Sequence, residues 1–105
     1  MTDCVFCKII NGDFNTEFVY EDEDTVVFKD INPKAKTHLL AVPKVHVPSL
    51  NECEDELAAK LMKTVKSVTK KLGLDSYRTV INTGKAAGQE VFHLHVHILS
   101  GNIKL

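Results

Sequence analysis

The chain has no tryptophan and only three cysteines, three prolines and two methionines in 105 residues. Three cysteines cannot all pair, so a disulfide framework is not expected. A reducing, cytoplasmic compartment fits better. No stretch approaches the roughly 20 apolar residues a membrane helix needs. The N-terminal MTDCVFCKII carries no basic cluster and no long apolar run, so it does not read as a signal peptide. Excess charge of one sign is missing too: thirteen basic against fourteen acidic side chains leave a net charge of −1. That balance offers no general field for nucleic acid or an anionic membrane. A phosphorylated ligand would have to be held by local groups.

What is present is ordinary for a soluble globular protein, 44% hydrophobic and 26% charged. The length favours a single domain over residues 1–105. Its core would be small, and pairing with a second copy would help it. Val5, Phe6, Ile9 and Ile10 have helix-like spacing over residues 4–11, with Asp3 as cap and Gly12 as stop. Residues 17–21 and 25–31 read as strands joined by the acidic turn Asp22-Glu23-Asp24. HLLAVP, 38–43, is nearly all apolar and is expected at the centre of a sheet. Leu57, Leu61, Val65, Val68 and Leu72 recur at steps of three and four, which predicts a long amphipathic helix over 51–72. Acids crowd its start and lysines its end, as the helix dipole prefers, and Gly73 is a stop. RTVIN, 78–82, and FHLHVHIL, 92–99, are two further strands around the loop GKAAGQ. The pattern predicts an α+β domain: a five-stranded antiparallel sheet with one long and one short helix packed on it.

His93, His95 and His97 occupy every second position of the last strand, and only two other histidines exist. On a strand these three share one face, while Leu94, Val96 and Ile98 share the other and can pack under the long helix. Three readings stand: a half-exposed strand whose polar face is histidine, a metal site, or acid–base or nucleophilic chemistry near neutral pH. Gly84 and Gly88, just upstream, let a backbone approach a ligand closely, as a phosphate would require.

GQEVFHLHVHIL resembles the signature of the histidine triad family, His-φ-His-φ-His-φ-φ with φ apolar, in its Hint-like branch of nucleotide phosphoramidases. VYEDEDTVVFKDINPKAKTHLLAVPKVH resembles the same family's acid-rich turn, F-x-D-I-x-P segment and T-H-φ-φ-φ-P-K strand. The likeness runs to about Gly101. It implies an enzyme that binds a purine nucleotide and cleaves a P–N or related bond at the α-phosphate. His95 would be the nucleophile and form a nucleotidyl-histidine, its other ring nitrogen held as a donor by a main-chain carbonyl. His97 would bind phosphate oxygens, with His38 nearby. Asp30 would accept from the ribose hydroxyls, and Phe6, Ile9, Phe28 and Ile31 would wall the base. Asn82, Gly88, Gln89 and Glu90 would surround the phosphate and leaving group. No organic cofactor is implied, and a homodimer is. A dinucleoside polyphosphate hydrolase, a nucleotide-binding adaptor with incidental turnover and a zinc protein without nucleotide chemistry are the alternatives.

Cys4 and Cys7 form C-x-x-C, a spacing that puts both sulfurs within reach of one ion. Some bacterial-type members of the family hold a structural zinc through two such cysteines, the histidine after Pro-Lys-x and the first triad histidine. The resemblance therefore implies Cys4, Cys7, His46 and His93 as a zinc set. Two departures bear on specificity. Glu90 stands where animal members carry serine, and an ionised carboxylate cannot donate a hydrogen bond. SGNIKL ends the chain where animal members continue into a tail that reaches the partner subunit's site.

Overall fold

The structure, a computed structural model, describes residues 4–104. The chain runs through helix α1 (Val5–Ile10), strands β1 (Tyr20–Glu21), β2 (Thr25–Lys29) and β3 (Thr37–Pro43), helix α2 (Asp55–Lys71), and strands β4 (Arg78–Val80) and β5 (Val96–Ser100). The five strands form one antiparallel sheet in the order β1-β2-β3-β5-β4. The expected fold is the observed one, and the apolar strand β3 is its centre. No helix of the described residues is long and apolar enough to cross a membrane.

Side-chain alternation splits the sheet into two environments. Val27, Leu39, Ala41, Leu94, Val96 and Ile98 lie under α2 and meet its Leu61, Val65 and Val68. Each buried valine, leucine or isoleucine among them contributes about 1.5–3 kcal/mol by leaving water. Val26, Phe28, Leu40 and Val42 point the other way and pack with Phe6 and Ile9 of α1. The site is built on this second face.

Several element ends differ from the pattern. The expected cap Asp3 lies outside the described residues; the Cys4 sulfur accepts the Cys7 N–H at 3.3 Å and caps α1. Gly12, at φ +89°, follows the helix end as expected. Strand 17–21 shrinks to Tyr20–Glu21. β2 stops at Lys29 because the Asp30 carboxylate accepts the Asn32 N–H at 2.9 Å and turns the chain. Residues 50–52 form a separate turn: Ser49 accepts the Asn51 N–H and donates to Glu52, so α2 starts only at Asp55. Leu72 ends α2 as a cap and is exposed rather than core. The strand expected over 78–82 shortens to Arg78–Val80.

The last strand is the instructive case. It was expected over 92–99, yet pairing begins only at Val96, opposite Ala41. Continuing the register would set Leu94 against Pro43, which has no N–H to offer. The Pro43 carbonyl is taken instead by the His93 ring, and the Leu94 N–H turns to the Val47 carbonyl at 2.8 Å. The alternation of 93–98 persists, but the first two histidines are freed from the ladder.

Candidate active site and metal centre

A pocket of about 620 Å³ opens on the face opposite α2. Phe6 and Ile9 come from α1, Phe28 and Asp30 from the end of β2, His38 from β3, Asn82, Gly88 and Glu90 from the loop before the histidines, and His95 and His97 from the last strand and its approach. Ile31 lines its rim and is 91% exposed. Eleven of the twelve expected catalytic and nucleotide-binding residues therefore share one cavity.

Gln89 is the exception. It is buried beneath the loop: its Oε1 accepts the Gly84 N–H at 2.9 Å, and its amide donates to the carbonyls of Pro48 and Val91. It braces the loop from below. Gly88 beside it sits at φ +96°, a conformation that only glycine adopts without strain.

Backbone partners assign the proton on each imidazole. His95 Nδ1 lies 2.8 Å from the His93 carbonyl oxygen, which can only accept, so Nδ1 carries the hydrogen. His95 Nε2 is then a bare lone pair. No fully buried side-chain nitrogen or oxygen among the described residues lacks a partner, so this nitrogen opens on the pocket. At His38 the logic runs the other way. The Lys34 backbone N–H donates to Nδ1 at 3.0 Å, so Nε2 holds the hydrogen and donates to His97 Nδ1 at 2.9 Å. His97 therefore keeps its own hydrogen on Nε2, as a donor facing the cavity. Asp30, with Oδ2 3.4 Å from His38 Nε2, completes the set.

All three rings are held neutral. Burial pushes His38 and His95 below the ordinary imidazole value; the Asp30 charge offsets this only in part at His38, as do the His93 carbonyl and then Asp30 at His95. His97 falls to about 4, through burial first and then the neighbouring rings of His95 and His38. The pocket thus presents one neutral nucleophilic nitrogen beside one neutral donor.

A second cluster lies behind the pocket. Cys4, Cys7, His46 and His93 each offer one ligand atom, all within 4.8 Å of one another. Cys4 Sγ is 3.2 Å and Cys7 Sγ 3.5 Å from His93 Nδ1, and Cys7 Sγ is 3.3 Å from His46 Nδ1. Zn–S bonds of about 2.3 Å and Zn–N bonds of about 2.0–2.1 Å give a tetrahedron with edges of about 3.3–3.8 Å. The donors fit that size with small adjustments. His93 donates Nε2–H to the Pro43 carbonyl at 2.8 Å, which leaves the Nδ1 lone pair aimed at the sulfurs. A metal-ligating histidine is commonly oriented in this way, by a carbonyl that accepts from its other ring nitrogen. Asp30, His38 and His97 also lie within 4.8 Å of one another. They fit a metal poorly, because the Lys34 N–H occupies His38 Nδ1 and leaves Nε2 protonated.

Sequence reasoning missed Lys34, Arg78 and Lys104, which line the same pocket. Arg78 had a signal: it lies two residues before Val80, whose partner in the ladder is His97, and so shares that face. Lys34 enters through its peptide N–H, which no residue type announces. Lys104 arrives because its N–H pairs with the Lys34 carbonyl.

A sequence model of the HIT domain matches residues 11–103. The chain is 50% identical over 103 residues to Protein HitA of Neisseria gonorrhoeae, covering 94% of this chain and 96% of that one. It superposes with a TM-score of 0.88 on a HIT family hydrolase from Legionella pneumophila, at 40% identity, covering 94% and 93% of the two chains. A histidine triad nucleotide-binding protein from Candida albicans gives the same TM-score at 33% identity, covering 98% of this chain and 80% of that one. With His95 and His97 on the pocket, His93 behind it and matches that span nearly the whole sequence, the chain belongs to the HIT domain family.

Proposed function

We propose that this chain is a Hint-like hydrolase that cleaves a P–N or related bond at the α-phosphate of a purine nucleotide through a nucleotidyl-His95 intermediate. The observation that carries this reading is the 2.8 Å bond from His95 Nδ1–H to the His93 carbonyl, which turns an unprotonated Nε2 into the pocket. The names of the Legionella hydrolase and the Candida nucleotide-binding protein support it.

The base packs between Phe6, Ile9, Phe28 and Ile31, and the ribose hydroxyls donate to Asp30. Asn82, Gly88 and Glu90 face the phosphate and leaving group, with the loop braced by Gln89. His95 Nε2 attacks phosphorus as the bond to the leaving group breaks, while His97 Nε2–H donates to a phosphate oxygen. His38 fixes the His97 tautomer from behind. Water then attacks phosphorus and restores neutral His95. The sum is substrate plus water giving nucleoside monophosphate and the protonated leaving group. Covalent catalysis replaces one difficult displacement by two easier ones, and the fixed donor stabilises the charge that builds on oxygen.

Zinc bound by Cys4, Cys7, His46 and His93 would be structural, tying α1 to the segment before β5. The protein acts as a single cytoplasmic domain and as a homodimer. β4 is an edge strand with an open rim, and Tyr77 beside it is exposed, so a second copy can extend the sheet.

The test is AMP release from adenosine 5′-phosphoramidate by the wild type and by His95→Ala. Release by the wild type and its near-complete loss in a folded variant support the reading. Equal rates overturn it. A second reading, hydrolysis of dinucleoside polyphosphates, is favoured by Lys34, Arg78 and Lys104 on the pocket wall. It predicts that such substrates outcompete the phosphoramidate.

A further inference from the structure

The cysteine pair and the pocket share a helix. Phe6 lies between Cys4 and Cys7 in sequence, and its ring packs edge-on against His95 at 5.1 Å, His93 at 5.9 Å and Phe28 at 5.6 Å. Val5, Phe6 and Ile9 all line the pocket. His93 is the second link. Its Nδ1 faces both sulfurs, and its carbonyl holds the His95 proton. The Cys4 sulfur also caps α1. Both cysteines are free thiols, neither is fully buried, and their sulfurs lie within 4.8 Å of each other. Residues three apart at a helix start satisfy the Cα separation of about 4.4–6.8 Å that a disulfide requires.

We propose that Cys4 and Cys7 form a reversible disulfide that lowers nucleotide affinity by releasing the helix carrying the base wall. The reaction is exchange with a low-molecular-weight disulfide. One cysteine sulfur attacks a sulfur of the small disulfide, forming a mixed disulfide and expelling one small thiol. The other cysteine sulfur attacks the mixed disulfide, closing Cys4–Cys7 and expelling the second small thiol. Two electrons pass from the cysteines to the small disulfide, and the released small thiolates take up the cysteine protons or, from the zinc-bound form, protons from solvent. Any metal on the cluster loses two ligands and leaves. Closing the bond pulls Cys4 from His93 Nδ1 and from the Cys7 N–H, so α1 loses its cap and Phe6 its seat on His95.

The effect on nucleotide rests on the function proposed above, and the experiment separates the two. Full-length zinc-loaded protein is treated with oxidised glutathione, with Cys53→Ser as background so that only Cys4 and Cys7 can react. Zinc release is read with a chromophoric chelator, the Cys4–Cys7 bond by peptide mass, and AMP affinity by calorimetry before oxidation, after it, and after dithiothreitol. The expected result is zinc release, a loss of AMP affinity of about tenfold, within the usual range of coupled sites, and recovery on reduction. By reciprocity, saturating AMP should disfavour the disulfide by the same factor. Unchanged affinity in the oxidised form, or failure of Cys4–Cys7 to form while the wild type oxidises at Cys53, overturns the proposal. If reduced protein binds no AMP, the proposed function fails by itself. The NMR signals of the Phe6 and His95 rings then decide: movement on oxidation supports the coupling, and unmoved signals overturn it.

Discussion

His95 donates its Nδ1 hydrogen to the carbonyl of His93, two residues earlier, at 2.8 Å. One residue thus serves two sites: the His93 ring faces the sulfur cluster, and its carbonyl sets the tautomer of the imidazole in the pocket. The orientation of the His95 ring does not depend on another side chain finding the right rotamer. The main chain of its own segment provides it.

The relay behind His97 predicts a separation of chemistry from binding. In His38→Ala, His97 Nδ1 loses the Nε2–H that fixes its tautomer, and its cavity-facing nitrogen is no longer bound to be a donor. The rate constant for turnover should fall about 10²-fold, with KM changing far less. Steady-state kinetics on a phosphoramidate checks this, and a change confined to KM would falsify the relay.

Acid should destabilise the metal-free protein through His97. Its folded value is about 4, set first by burial, against an ordinary 6.5 in the unfolded chain. Between those values the unfolded state binds the proton and the folded state does not. The stabilisation is therefore complete above about pH 6.5 and is lost as pH falls toward 4. Urea unfolding should show less stability at pH 5 than at pH 7.5, by at most about 2 kcal/mol from this partly solvent-screened group. His97→Gln should flatten that slope, and an unchanged slope in the variant would contradict the assignment.

Zinc should bind one ion per chain, and Cys7→Ser or His46→Ala should abolish stoichiometric uptake measured by elemental analysis. An ion on these four ligands would tie α1 to the segment before β5, so zinc at a hundred times its dissociation constant should add about 2.7 kcal/mol of stability. A melting temperature indifferent to zinc and to chelator would rule out the structural role.

The two-faced reading of α2 has a simple stability test. Leu61 is 2% exposed beneath the sheet, whereas Lys63 points to solvent. Leu61→Ala should cost about 2–5 kcal/mol, and Lys63→Ala should stay within about 0.5 kcal/mol. Chemical denaturation distinguishes them, and comparable losses would mean the helix face is misplaced.

The amino-acid sequence by itself determined the layers. The three-and-four spacing of Leu57, Leu61, Val65 and Val68 needs one apolar neighbour, and the alternation from His93 to Ile98 supplies it on one face while presenting imidazoles on the other. These are local periodicities, legible because backbone geometry imposes them. It also marked residues that meet in the pocket, since His38, His95, His97 and Asp30 carry titratable side chains. The tertiary structure alone decided three things. It brought Cys4 to His93, 89 positions away. It turned Gln89 under its loop and let Lys34, Arg78 and Lys104 reach the pocket wall. Above all, it chose the nitrogen that His38, His93 and His95 present. That choice rests on the carbonyls of Pro43 and His93 and the N–H of Lys34. Main-chain groups are the same in every residue, so their partners follow from where the chain is folded and not from which residue carries them.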